Sequence, residues 1–193
     1  MVKEIKIAIS GKANSGKNTV ATLLGTYIRY KDTDILDTKT FAFADPIKEM
    51  VMQMLPMTER RILWGPSELR MTKVPNSEVT YRQLLLDFGK LGRSYDPNIW
   101  INATVHMANF YAQTGVAIIS DVRFKNEFQV MKDEKFFLIR VMRPNCAQTT
   151  SSNDISEVDL DEIPNSAFHC VLVNDGSMTD LQDKIREIVA THF

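Results

Sequence analysis

Two glycines and a lysine near the amino terminus carry the first legible chemistry: Gly11-Lys12-Ala13-Asn14-Ser15-Gly16-Lys17. The glycines permit a turn whose successive backbone N–H groups point into one concavity, and a helix starting there adds its positive end. Such a concavity holds phosphate, and the lysine after the second glycine reaches the β- and γ-phosphates of a nucleotide. The string is the G-x-x-x-x-G-K part of a P-loop, and a lysine with that task is expected to face solvent without ligand. Ser or Thr ordinarily follows the lysine as a hydroxyl ligand of Mg2+. Here Asn18 and then Thr19 follow, so either Asn18 through its carbonyl or Thr19 through its hydroxyl would serve the metal.

A second group closes an apolar run, Ile118-Ile119-Ser120-Asp121-Val122-Arg123. Strands of α/β sheets border the ligand crevice at their carboxyl ends. Asp121 could there order Mg2+ or accept a substrate hydrogen bond, and Arg123 could clamp a phosphate with paired donors. Without the loop, Asp121 reads as a helix N-cap just as well. Arg140 and Arg143 precede a polar stretch, 145–153, and suggest a lid that excludes water; each also reads as an ordinary solvated arginine.

Positioning such residues takes strands and helices in alternation. Ile5 to Ser10 is β-branched and stopped by Gly11, a strand, and Thr19 to Tyr30 has apolar residues at helical spacing. Phe41-Ala42-Phe43 looks like the end of a second strand, with Asp45-Pro46 as N-cap and first residue of the next helix. Thr80 caps a helix expected to stop near Gly89 and Gly92, and Asp96-Pro97 opens another that runs to Gly115. The runs Val116–Ser120, Phe136–Met142 and Cys170–Val173 have the look of strands buried on both faces of a parallel sheet. Ser177 or Thr179 caps a last helix. The expected fold is α/β, with about five mostly parallel strands flanked by helices. It forms a single domain, 1–193, with a helical acceptor-binding region at about 44–115 and a lid at about 143–165.

Composition narrows the partners. Twenty-three Lys and Arg against 24 Asp and Glu leave a formal charge of −1 over 193 residues, so no bulk basic field draws the chain to nucleic acid or an anionic membrane. Two cysteines and three scattered histidines make neither a disulfide framework nor a zinc set. The Met-Val-Lys-Glu-Ile-Lys start lacks a long apolar targeting core, and the expected location is the cytoplasm.

Taken in order, these motifs resemble the bacteriophage deoxynucleoside monophosphate kinase family, within the wider nucleoside monophosphate kinase group. The resemblance rests on Ser10-Gly11 through Thr19; Phe43-Ala44-Asp45-Pro46-Ile47-Lys48; Arg82, Gly89, Arg93, Asp96-Pro97 and Trp100; Ser120-Asp121-Val122-Arg123-Phe124-Lys125-Asn126-Glu127; Arg143-Pro144; Ser156-Glu157; and Asn174-Asp175-Gly176. It implies a P-loop kinase fold and transfer of a phosphoryl group from ATP, with Mg2+, to a deoxynucleoside monophosphate in the host cytoplasm. Lys17 and the loop from Gly11 to Thr19 would hold ATP, with Asn174, Asp175 and Gly176 against the adenine. Asp45, Lys48, Arg82, Arg93 and Trp100 would border the acceptor. Asp121 and Arg123 would lie between the two, Arg143 would join the catalytic set, and Asn18, Thr19 and Asp121 would serve the metal. A homodimer is compatible with the resemblance. Two departures stand out: Leu86 where the family often has Gln, and Asp154-Ile155-Ser156-Glu157 where it has a histidine four-residue motif. Rival readings are a P-loop kinase of another phosphorylated acceptor, such as dephospho-coenzyme A or phosphomevalonate, and a nucleotide-binding switch or host-interaction protein without turnover.

Overall fold

The apolar runs pair as five parallel strands: β1 (Ile5–Ser10), β2 (Thr38–Phe41), β3 (Val116–Val122), β4 (Phe137–Met142) and β5 (Cys170–Val173). The computed structural model describes residues 4–32, 35, 37–144 and 158–193. The polar stretch 145–153, Cys146 and the Asp154-to-Glu157 set lie outside the described residues. The strand order is β2-β3-β1-β4-β5, which puts β1 in the centre with β3 and β4 on its flanks. Register runs Ile7 beside Ile118 and beside Phe137, so the three central strands end at nearly the same level.

The chain divides into two compact units, residues 1–42 with 105–193, and residues 43–104. The first holds the whole sheet. Helices α1 (Lys17–Lys31) and α7 (Met178–His192) cover one face, burying Val20, Leu24, Ile28, Leu181 and Ile185 against Ile7, Ile9, Ile118 and Ile139. Alternate strand residues point the other way, and Ala8, Ile119 and Leu138 are equally buried. On that side α6 (Lys125–Asp133) packs on β4 through Phe128 and Met131. Ser177 caps α7 by accepting the N–H of Asp180 at its hydroxyl, and the Asp180 carboxylate accepts the N–H of Ser177 in turn.

The second unit is helical: α2 (Asp45–Met54), α3 (Arg60–Trp64), a 3-10 turn at Ser67–Met71, and α4 (Tyr81–Tyr95), with the start of α5 (Ile99–Ala112). Its core is Val51, Leu63, Val74 and Tyr81, with Leu84, Leu85 and Phe88 packed around them. Two expectations are corrected here. Asp45 is the first helical residue rather than the cap, which is Ala44, because its carboxylate is engaged by side chains. Helix α4 runs straight through Gly89 and Gly92. A Cβ at Gly92 would lie 2.3 Å from Cζ2 of Trp100, so this glycine makes room for an indole and does not end the helix.

Gly92→Ala therefore separates two effects of opposite sign. Helix propensity alone would stabilise by up to ~1 kcal/mol, whereas overpacking against a ring costs ~1–3 kcal/mol. Urea unfolding followed by circular dichroism should show a lower midpoint. A midpoint at or above wild type would mean that the Trp100 ring yields freely.

Candidate active site

Where β1, β3 and β4 end together in the first unit, a cavity of about 300 Å3 opens. Its walls are the loop after β1, Val122 and Arg123 after β3, Val141 through Pro144 at the end of β4, and Leu160 with Asp161. The loop is pressed tightly against its neighbours. Gly11 has φ 157° and a Cβ there would stand 2.4 Å from the carbonyl oxygen of Val141. Gly16 has φ 95° and would meet Nδ2 of Asn174 at 2.7 Å. Neither site can take a side chain. Asn14 adopts the left-handed region at φ 59°, which Asn tolerates.

Gly16 caps α1 without any side-chain bond, so no carboxylate or hydroxyl of the cap residue competes for an anion at this helix start. Among the described residues, Ser15 Oγ is the buried side-chain polar atom with no hydrogen-bond partner, and Ser15 lines the cavity. A hydroxyl donor beside an uncapped helix start suits an anion. Lys17 corrects the solvent-facing expectation: it is half-buried, and its ammonium donates to the carbonyls of Gly11 and, at 2.7 Å, Lys12. The loop's own carbonyls hold the charge against the loop. Lys12 pairs with Asp161 at 2.9 Å, a pair more than half exposed and correspondingly weak.

Asp121 is the next-to-last residue of β3 and half-buried, and the cap position of α6 belongs to Phe124, so the helix-cap reading of Asp121 is excluded. Capping falls to a residue to which the sequence reading gave no role. Oε2 of Glu127 accepts the N–H of Arg123 at 2.7 Å and of Phe124 at 3.0 Å, while Asp159 accepts the N–H of Lys125 at 2.6 Å. The signal was available, because Glu at the third helical position is half of a capping box. Glu127 is buried, and burial pushes its carboxyl up to about 7, with the Asp121 charge adding to the rise and the two N–H bonds and Arg123 opposing it.

Arg143 is exposed at the cavity wall. Arg140 also lines the cavity and is not the ordinary solvated arginine of the alternative reading. It donates to the carbonyls of Leu160 and Ile163 and to Oδ1 of Asn165, and its guanidinium lies 4.2 Å from the centre of the Phe168 ring. It clasps the segment after residue 158 to β4, and burial lowers its pKa. Asn174 donates its amide to the Ser15 carbonyl at 3.0 Å and so braces the loop. Asp175 is held below the usual carboxylate range by its bond from Lys184, and Gly176 lies beside Asp180.

The acceptor candidates stand in the second unit. Oδ1 of Asp45 accepts from Lys48 at 2.9 Å and from the indole of Trp64 at 3.0 Å. Arg60 stacks 3.9 Å over that same ring; neither Trp64 nor Arg60 was singled out in the sequence. Arg82 is exposed on α4, and the exposed Arg93 reaches back across Gly89. Trp100 donates to the Gly89 carbonyl at 3.1 Å.

For a metal, the half-buried Thr19 in the first turn of α1, the exposed Asn18 and Asp121 offer hard oxygen donors. That set fits Mg2+, which takes few protein oxygens and completes its shell from phosphates and water. Among the described residues no three carboxylate, imidazole or thiol side chains form a cage of their own.

The family model for phosphomevalonate kinase matches residues 9–137. A protein of Acanthamoeba polyphaga mimivirus, provisionally described as a deoxynucleotide monophosphate kinase, is 29% identical over 196 residues, covering 94% of each chain. Among solved structures, the APS kinase of Mycobacterium tuberculosis in complex with AMPPNP and APS aligns over 97% of this chain and 96% of its own, with TM-score 0.48 and 13% identity.

The buried Glu127 makes stability depend on pH. Its folded pKa of about 7 exceeds the ordinary 4.5, so between these values the folded chain holds a proton that the unfolded chain has released. Stability contributed here is full below pH 4.5, falls as pH rises towards 7, and is flat above. At ~1.4 kcal/mol per pH unit the ceiling is about 3 kcal/mol. Glu127→Gln, compared with wild type by denaturant unfolding from pH 4.5 to 8, should gain relative stability across that window and nowhere else. Parallel curves would place an ordinary carboxyl at Glu127.

Proposed function

The chain belongs to the phosphomevalonate kinase family, a P-loop kinase that binds nucleotide and transfers a phosphoryl group, and we propose that its reaction is ATP plus a deoxynucleoside 5′-monophosphate giving ADP and the deoxynucleoside diphosphate. The observation that carries the reading is the convergence on one cavity of the uncapped loop, the buried Ser15 hydroxyl and Arg123. The acceptor class is supported by the viral relative, whose likeness runs over 94% of both chains. A phosphomevalonate acceptor is the second reading, favoured by the description of the family model.

Both acceptors present a phosphate, already deprotonated near pH 7, so the chemistry asks for in-line placement and charge neutralisation rather than a strong base. The loop from Gly11 to Thr19 would hold the ATP phosphates, with Lys17 turning from the Gly11 and Lys12 carbonyls to the β/γ-oxygens. Arg123 and Arg143 would neutralise charge on the transferring group, with Asp121 ordering Arg123 or the metal's shell. Mg2+, held through Thr19 or Asn18 and Asp121, would supply charge neutralisation on the donor phosphates. The 174–176 turn would border the adenine with its backbone, since the Asn174 and Asp175 side chains are already engaged. In the second unit, Lys48, Arg82 and Arg93 are the cations for the acceptor phosphate, and Asp45 and Trp100 would complete that subsite. The reaction belongs to the cytoplasm and needs neither nucleic acid nor a membrane.

A coupled assay for ADP release against a panel of nucleoside and deoxynucleoside monophosphates, phosphomevalonate and dephospho-coenzyme A tests this directly. Turnover should be highest with a deoxynucleoside monophosphate and should fall at least ~10²-fold in Lys17→Ala, the scale of losing a transition-state charge. Turnover confined to phosphomevalonate selects the second reading, and ATP binding without turnover on any acceptor leaves a nucleotide-binding protein.

Arg123→Lys probes the mechanism. Lysine keeps the charge but loses the planar fork, so kcat should fall ~10²-fold while ATP affinity, set by the loop, stays near wild type. Near-normal kcat would make the end of β3 structural.

A further inference from the structure

We infer that Glu127 is a positioning residue whose carboxylate, by accepting the backbone N–H groups of both Arg123 and Phe124, fixes the turn that presents Arg123 to the cavity. The inference rests on the role proposed for Arg123 above. Strand β3 ends at Val122 and α6 begins at Lys125, so Arg123 and Phe124 are the entire connection. Phe124 is extended, at φ −114° and ψ 152°, and its N–H therefore has no place in the helix ladder. Both N–H groups converge on the same oxygen, Oε2, at 2.7 and 3.0 Å. Glu127 itself is 8% exposed and cannot wander. With its backbone held, Arg123 leaves the turn from a fixed point on the cavity wall.

The arrangement differs from plain helix capping. Lys125, the first residue of α6, has its N–H taken by Asp159 from a distant segment, so the helix start keeps a cap if Glu127 is lost. What Glu127 secures is the two-residue turn before the helix. The charged side chains acting on Glu127 are Asp121 and Arg123. Since one oxygen receives both bonds, geometry requires an acceptor at that point and not a negative charge. Glutamine supplies the same oxygen, while alanine supplies none and aspartate is one methylene too short to reach both.

Steady-state kinetics on the intact chain, with the acceptor found in the panel, separate the possibilities. Glu127→Ala should lower kcat ~10- to 10²-fold, the cost of a misplaced catalytic group, with the KM for ATP within about twofold. Glu127→Gln should keep kcat within about threefold of wild type, and Glu127→Asp should fall between the two. In an Arg123→Ala background, Glu127→Ala should add less than about threefold, because residues that act as one unit are not additive. By amide hydrogen exchange, Arg123 and Phe124 should be protected in wild type and Glu127→Gln and exposed in Glu127→Ala.

Normal kcat in Glu127→Ala beside an impaired Arg123→Ala overturns the positioning role and leaves the proposed function standing. An unimpaired Arg123→Ala overturns the active-site reading itself. Should Glu127→Ala fail to fold, Glu127→Gln decides: a loss of kcat there equal to that of Arg123→Ala means that charge, not the acceptor geometry, is what matters, and the inference falls.

Discussion

Between the first glycine of the phosphate loop and the end of β4 there is no room for a methyl group. A Cβ on Gly11 would sit 2.4 Å from the Val141 carbonyl oxygen, and one on Gly16 would sit 2.7 Å from the Asn174 amide. The loop is therefore wedged between the carboxyl ends of neighbouring strands, and the rest of the site takes its position from that wedge. The strand order makes it work: β1 lies between β3 and β4, so the loop leaving β1 has Val122 and Arg123 on one side and Val141 to Arg143 on the other. The carboxyl edge of a parallel sheet is where such a reversal of strand order opens a crevice. The bond from Asn174 to the Ser15 carbonyl extends the same bracing to the turn after β5.

Helices α1 and α6 both begin at this edge, and the chain treats their positive ends in opposite ways. Helix α1 starts at a glycine that offers no side-chain acceptor, and the buried hydroxyl beside it has no partner among the described residues. Helix α6 starts under two carboxylates, with the N–H groups of residues 123, 124 and 125 all consumed by Glu127 and Asp159. A run of three adjacent donors attracts phosphate. Satisfying that run internally leaves α1 as the end at which an anion gains most, so the competing site is removed by the same bonds that shape the turn carrying Arg123. The acidic turn 159–162 has a wider part in this, since Asp161 reaches Lys12 of the loop and Glu162 reaches Lys125. Arg140 in turn anchors that segment through the carbonyls of Leu160 and Ile163.

The parts of this molecule that local sequence governs were legible. The loop and the buried strand runs follow from spacing and residue type alone, Cys170–Val173 matches its expected bounds, and of the two expected caps, Ser177 and Thr179, the chain uses Ser177. What was not legible depends on partners far away in the chain. Gly92 looks like a helix stop until Trp100 folds against it. Asp45 looks like a cap until the Trp64 indole, nineteen residues on, takes its carboxylate. Arg140 reads just as well as a solvated surface arginine until the carbonyls of residues 160 and 163 take its guanidinium. Glu127 is the exception, since its capping spacing is local, three residues after Phe124. Strand order likewise depends on which crossovers pack, and no window of sequence contains it.

The first unit has the parts to handle phosphoryl groups, and under the proposed function its described residues would do so through backbone N–H groups, a hydroxyl, lysines and arginines. Such groups recognise a phosphate whatever it is attached to. Discrimination between a nucleotide and a small phosphorylated acid therefore has to come from side chains that meet the remainder of the acceptor. The second unit carries chemistry of that kind. The Trp64 ring has one cation stacked at 3.9 Å and a second at 5.3 Å, and its N–H is tied to Asp45. A base needs aromatic faces and paired donors and acceptors, whereas a carboxylic acid needs cations alone. A family able to keep the phosphate unit and vary the helical one can change acceptor without rebuilding its catalytic edge.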